Sequence, residues 1–326
     1  MKNTSLCAIF TVLVLTCLAS IPNAAEEKEL SWPESSVAKF KDNPTVEHRK
    51  LIDSKLPEAT AEPGNEHKVL VFYRCEGFVH TSIPFGNYAL EAIARDTGAF
   101  SIDLADEYSV FTEENLAQYD GIIFNNTTHL TPNDKQRKAI LDFIHSGKGV
   151  IGIHAAADNF GEWSEGVAMI GGIFDGHPWT ARNTWAFKVE DPQHPLNAAF
   201  KGKGFWHRDE IYWYNPESFE GREKLRVLLS LDMSKRRNAD PFKGGQWKGS
   251  VEDPTTVDVP VSWCRKIGEG RLFYTNLGHN DMTFANTVVL QHMLDGIQFA
   301  LGDIDVDTIP SDDITVEIIS APGGVK

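Results

Sequence analysis

Four histidines, His80, His129, His154 and His279, each come just after a short apolar run with the length of a buried strand. In an open parallel sheet the carboxyl ends of the strands share one edge, so residues just past them gather in one crevice. Imidazoles meeting there could move protons near neutral pH or ligate a divalent ion. The competing reading is a set of unrelated histidines, each satisfied by its own neighbours in the core.

The segments around these histidines carry the other chemistry-bearing residues. The loop Arg74-Cys75-Glu76-Gly77-Phe78-Val79-His80 offers a cation, a carboxylate and an imidazole to one ligand, unless Arg74 and Glu76 merely pair with neighbours. In Gly152-Ile153-His154-Ala155-Ala156-Ala157-Asp158, His154 stands where many α/β enzymes place a nucleophile on a sharp turn. With no Ser or Cys there, covalent catalysis of that kind is disfavoured, and an acid/base or metal role gains weight. The glycine-rich run 171–179 holds His177 and Trp179, and an exposed Trp can stack on a sugar ring, although a lone Trp is more often core. In 205–214, Asp209 and Glu210 point to opposite faces if the chain is extended, and Glu210 is preferred for the crevice. A hairpin over 260–276 carries Trp263 and delivers His279 through Gly278.

The expected site is therefore His80, His154, Glu210 and His279 as catalytic groups, with Arg74, Glu76, His177, Trp179 and Trp263 as substrate-binding groups. His129 follows Asn125-Asn126-Thr127-Thr128 and is expected only to edge the crevice. Three imidazoles with a carboxylate form a credible shell for a divalent metal such as zinc, on His80, His154 and His279. No cofactor is certain from sequence.

Positioning these residues requires regular elements, and the pattern supplies them. Apolar runs at 68–73, 100–104, 121–124 and 149–153 read as strands, the first suited to burial on both faces and the third also buried. Helical segments over 84–95, from Thr112, and from Thr131-Pro132-Asn133-Asp134 to Gly147 alternate with them, which argues for a parallel sheet covered on both sides. The second half is less regular, with strand-like runs at 184–189, 225–231, 260–267 and 271–276, a turn at Gly268-Glu269-Gly270, and a closing helix over 286–301.

Composition bounds the function. The 326 residues carry 46 acidic against 31 basic side chains, a formal charge of −15, which disfavours nucleic acid or an anionic membrane as partner and suits a small neutral ligand. A basic start, an apolar stretch from Leu6 to Ile21 and small residues before Glu26 describe a secretory signal over 1–25. The expected layout continues with an extension over 26–66 anchored by Trp32, a domain over 67–303 and an acidic tail over 304–326. The mature protein is expected to be exported, periplasmic or secreted, with no membrane span after cleavage, and a homo-oligomer is compatible with the sequence. Cys75 and Cys264, in or beside strands, read as small buried hydrophobes, though an exported protein could bridge them.

Taken together, Phe78-Val79-His80, Gly152-Ile153-His154, Gly176-His177-Pro178, Asp209-Glu210-Ile211-Tyr212, Pro260-Val261-Ser262-Trp263, Gly270-Arg271 and Gly278-His279 resemble the ThuA-like (trehalose utilization) family, a relative of the class I glutamine amidotransferase fold. The likeness runs over about residues 67–302. It implies an α/β, flavodoxin-like three-layer sandwich with a mainly parallel central sheet and an added β-hairpin in the C-terminal half. Because His154 replaces that fold's nucleophilic Cys, amidotransferase activity is not expected. The resemblance implies carbohydrate catabolism, with a hydrolase, lyase or isomerase acting on trehalose, related glucosides or their 3-keto forms. Some family members look able to hold a divalent metal, while Trp179 stands where a more polar residue is expected. A sugar-binding module without catalysis, and a purely structural domain, are the competing functions.

Overall fold

The structure is a computed structural model that describes residues 31–245 and 252–324. The expected signal over 1–25 lies outside the described residues.

Alternating apolar strands build the sheet. Strands β1 (Lys68–Phe72), β2 (Ser101–Ala105), β3 (Gly121–Asn125) and β4 (Gly149–Ile153) run parallel in the order β2-β1-β3-β4. Within β1, Val69 and Val71 face one layer while Leu70 and Phe72 face the other, as the two-residue period of a strand requires. The helices Ile83–Thr97 and Thr287–Leu301 cover the first face, and Asp134–His145 with Ser164–Ile170 covers the second. This is the three-layer sandwich expected from the alternating pattern.

The helix ends follow local chemistry. Asn133 accepts from the amides of Lys135 and Gln136, and Asn286 accepts from those of Val288 and Val289, so each side chain satisfies amides that the first turn cannot. Gly98 and Gly302 close two helices in the left-handed conformation.

The second half adds an antiparallel extension. Strands β5 (Thr184–Glu190), β6 (Phe205–Arg208), β7 (Arg226–Leu231), β8 (Pro260–Ile267), β9 (Gly270–Thr275) and β10 (Ile318–Ile319) continue the sheet as β4-β9-β8-β7-β5. β9 is parallel to β4 and is joined to β8 by the expected hairpin, so the C-terminal end of β9 reaches the same edge as those of β1, β3 and β4. β6 pairs with the first half of β5, and β10 pairs with its last two residues. These two short strands lack a run long enough to announce them in the sequence.

Both flanking segments are tied to the domain. The helix Trp32–Phe40 seats Trp32 against Phe40 and Tyr73, with its indole donating to Asp106 at 3.1 Å. Thr60 donates to Asp295 at 2.6 Å, and the amide of Ala321 donates to Asp232 at 2.9 Å. Cys75 and Cys264 are buried free thiols, and burial pushes the Cys75 thiol up to about 12, which leaves it protonated and unreactive. Among the described residues, no helix is long and apolar enough to cross a membrane.

Candidate active site

His154 begins the turn after β4 in a left-handed conformation, φ +46°, which a histidine adopts only when its surroundings hold it there. Two bonds do so. The Tyr274 hydroxyl donates to the His154 carbonyl at 2.8 Å, and His154 Nδ1 lies 2.7 Å from the Asn276 carbonyl. A carbonyl only accepts, so Nδ1 carries the proton and Nε2 presents a bare lone pair. That lone pair faces His279 Nδ1 at 3.2 Å, with Glu210 Oε2 at 3.8 Å.

His279 arrives through Gly278, whose φ of +139° suits glycine. A side chain there would stand 2.9 Å from Ile153, so the glycine also lets β9's outgoing chain pass close to β4. Asp209 fixes this loop. Its fully buried carboxylate accepts from the amides of Gly278 at 2.8 Å and Asn280 at 2.9 Å, and from the Thr283 hydroxyl at 3.0 Å. It also accepts from the amide of Glu210 at 3.0 Å, so one carboxylate holds the backbone on both sides of His279 and that of Glu210.

Glu210 then reaches into the centre. Its Oε2 lies 3.1 Å from His279 Nδ1, while Oε1 lies 3.4 Å from His177 Nδ1. His80 completes the group from the loop after β1, its ring 5.0 Å from those of both His154 and His279 and nearly perpendicular to each. Its Nδ1 is buried with no hydrogen-bond partner.

One ligand atom from each of His80, His154, Glu210 and His279 lies within 4.8 Å of all the others. Ligands around one zinc ion, with bonds of about 2.0–2.1 Å, stand about 3.3 Å apart in a tetrahedron. The 3.1 and 3.2 Å separations at His279 match that spacing, and the unpartnered nitrogen of His80 leaves a donor to spare. These residues therefore fit a divalent ion.

The electrostatics divide the cluster. Burial, reinforced by neighbouring imidazoles, holds His80 and His154 well below the ordinary histidine range, so both are neutral. Burial also opposes charge on His279, but the bond to Glu210 and the nearby carboxylates outweigh it and raise its pKa. Burial raises Asp209, against the pull of His207 and its amide donors.

The remaining expected residues are placed differently. His177 is half exposed and meets the cluster only through Glu210. Trp179 and Trp263 are fully buried, and this corrects their assignment as stacking platforms. The Trp179 indole donates to the Asn238 carbonyl and stacks on Phe242, and the Trp263 indole donates to the Ile170 carbonyl and stacks on Tyr274. Neither ring has a face left for a ligand. Arg74 and Glu76 pair at 3.0 Å, Arg74 lies over Tyr108, and Glu76 accepts from Thr131 at 2.6 Å, so both are engaged by the protein itself. His129 stands apart from the cluster, 3.4 Å from Asp158. The supporting roles of Asp209 and Asn276 have no signal in a single sequence beyond adjacency to Glu210 and to Leu277-Gly278-His279.

The fold has counterparts among solved structures. A ThuA-like protein from Bacteroides uniformis is 21% identical over 74% of this chain and 94% of its own, with a TM-score of 0.54. Another from Parabacteroides merdae is 17% identical over 73% of this chain and 91% of its own, also at 0.54. At these identities the likeness is one of fold. None of the curated proteins matches the chain significantly. Residues 68–300 match the family model for ThuA, trehalose utilisation, and the chain belongs to that family.

Proposed function

We propose that this protein is an exported enzyme of carbohydrate metabolism, periplasmic or secreted, that breaks or rearranges a glycoside such as trehalose or a 3-keto-glycoside. Its centre is His80, His154, Glu210 and His279, with the three imidazoles holding a divalent ion such as zinc. The observation that carries this reading is the convergence of four donor atoms from four separate loops within 4.8 Å. Family membership supports the carbohydrate role.

Each residue has a definable task. The neutral His154 and His80 offer lone pairs, and the Asn276 carbonyl keeps His154 in the required tautomer. A bound divalent ion would supply Lewis acidity toward a sugar oxygen or a water. Glu210, touching the cluster through Oε2 and the half-exposed His177 through Oε1, takes a proton from the reacting centre or returns one, and His177 passes it to solvent. A cavity of about 350 Å³ lined by Thr81, His207, His279 and Asp281 gives a small ligand access beside His279.

Elemental analysis of protein purified without chelator, with turnover measured on trehalose and 3-keto-glucosides, tests the proposal. One equivalent of divalent metal and a loss of turnover in Glu210→Gln of about 100-fold or more are expected. Full activity in a metal-free sample would remove the ion from the reading, and unchanged turnover in the variant would remove Glu210.

A second reading is a sugar-binding module without catalysis, favoured by the lack of any Ser or Cys at the turn where His154 stands. Tight binding of a sugar with no turnover in the same assays would select it.

A further inference from the structure

Phe78 is 59% exposed, and among the described residues it is the only Phe, Tyr or Trp on the open surface. A phenyl ring left in water forgoes the stabilisation that burial would give it. The backbone beneath it is nonetheless held firmly to the loop after β3. The Thr128 hydroxyl donates to the Phe78 carbonyl at 3.0 Å and accepts from the Gly77 amide at 3.2 Å, and the Glu76 amide donates to the Thr128 carbonyl at 2.9 Å. The ring of His129 packs on Gly77, where an added methyl would stand 2.7 Å from its Nδ1. Phe78 is therefore presented from a fixed loop.

Its ring stands at the rim of the histidine centre. The centroid lies 4.8 Å from that of His80, edge to face at 78°, and 6.5 Å from that of His279, nearly parallel at 15°. The ammonium of Lys39, an exposed side chain of the helix Trp32–Phe40, stands over the ring at 5.4 Å. At an exposed site such a contact is weak, so the long side chain of Lys39 gives way to a ligand and can then donate to its hydroxyls.

The chemistry of a phenyl face selects what it takes. It offers no donor and no strong acceptor, so it gains only from an apolar surface laid against it. A pyranose ring has one, made of C–H groups on one face, while its hydroxyls project around the edge toward polar neighbours. An open-chain polyol with as many hydroxyls has no fixed apolar face.

From this placement we infer that Phe78 is the stacking platform for the sugar that reacts at the histidine centre, the task expected of Trp179 and Trp263, and that it makes the site selective for a ring over an open chain. The inference rests on the carbohydrate reading above and adds the form of sugar that the site takes. Phe78 is a binding residue and has no part in proton transfer.

Proton NMR titration of the whole protein with trehalose, methyl α-glucoside and methyl β-glucoside, with glucitol as the open-chain control, tests the platform. Wild type is expected to bind at least one of the ring sugars about 10-fold more tightly than glucitol, with the sugar's C–H resonances moved upfield by the phenyl ring beneath them. Phe78→Ala is expected to lose both the preference and the shift, and Phe78→Tyr to keep the affinity within about 3-fold. Because Phe78 is exposed and supplies no ligand atom, both variants should keep the thermal midpoint and the divalent-metal content of wild type. No ring preference in wild type, or an unchanged preference in Phe78→Ala, overturns the inference. Loss of metal together with sugar affinity in Phe78→Ala also overturns it, since Phe78 would then be a support for His80 and His279. If Phe78→Ala weakens binding as expected but Glu210→Gln leaves turnover unchanged, the platform stands and the catalytic reading falls. A wild-type KM in Phe78→Ala with turnover lost in Glu210→Gln leaves the catalytic reading and removes the platform.

Discussion

Two of the regions in which this molecule buries histidines do so for different ends. His292, in the helix Thr287–Leu301, is completely buried with both nitrogens engaged, Nδ1 at 2.7 Å from the Leu196 carbonyl and Nε2 at 2.8 Å from the Ser262 hydroxyl. His80, His154 and His279 are also packed in the protein, yet one nitrogen of each lies near the others and near Glu210, and His80 Nδ1 has no hydrogen-bond partner. A satisfied imidazole is a strut that joins the last helix to β8 and to the chain before β6. At the cluster the unpartnered His80 Nδ1 costs about 1–3 kcal/mol that an apolar side chain would not. Burial alone therefore does not separate the two regions, whereas the convergence of donor atoms from four loops does.

The comparison can be broken from either side. The largest effect is expected from His154→Asn, chosen because Asn tolerates the left-handed backbone. It should lower divalent-metal affinity by about 100-fold or more while shifting the thermal midpoint little, and metal titration followed by a melt would show both. Equal losses of affinity and stability would mean that His154 is a strut like His292.

His292→Ala should do the reverse, costing on the order of 3 kcal/mol in denaturant unfolding while leaving metal stoichiometry at the centre unchanged. Its pH dependence carries a sign. Burial holds His292 at about 4, so between that value and the ordinary 6.5 the unfolded chain binds more protons than the folded one. Its contribution is complete above pH 6.5 and is lost as pH falls toward 4. The variant should therefore show a shallower acid-side loss of stability than wild type.

Asp295, on the same helix, has the opposite sign. Burial raises its carboxyl to about 6 despite bonds from Thr60 and Gln291, so its ionisation destabilises the fold as pH rises from 4 through 6. Asp295→Asn should gain about 1–2 kcal/mol at pH 7 and nothing at pH 4, read by urea unfolding at both values. The smallest effect on sugar binding is expected at Trp179, where Trp179→Phe should leave affinity unchanged while costing about 1–3 kcal/mol of stability for the buried Asn238 carbonyl left unpaired. A large loss of sugar affinity there would restore Trp179 to the site.

Much of the fold was legible because its signals are local. The apolar runs that became β1, β3 and β4 bury both faces, and the caps Asn133 and Asn286 with the closing glycines mark helix ends within a few residues. The short β6 and β10 were not legible, since each exists only through pairing with β5. In the site, His80, His154 and His279 could be proposed from their positions after strands. The tryptophans could not be placed, because whether an indole lies in the core or at a mouth depends on what packs against it, and here Phe242 and Tyr274 cover those faces.

By itself, then, the sequence determined the alternation of strands and helices, the common edge at which parallel strands end, and the residue types delivered there, since each is written in spacing over a few positions. The tertiary structure alone decided which of those residues meet. Asp209 reaches the amide of Gly278 across 69 positions, and the Asn276 carbonyl sets the tautomer of His154 across 122. Such contacts depend on the antiparallel extension returning the chain to the parallel edge through β9, a closure between distant segments that no local pattern encodes.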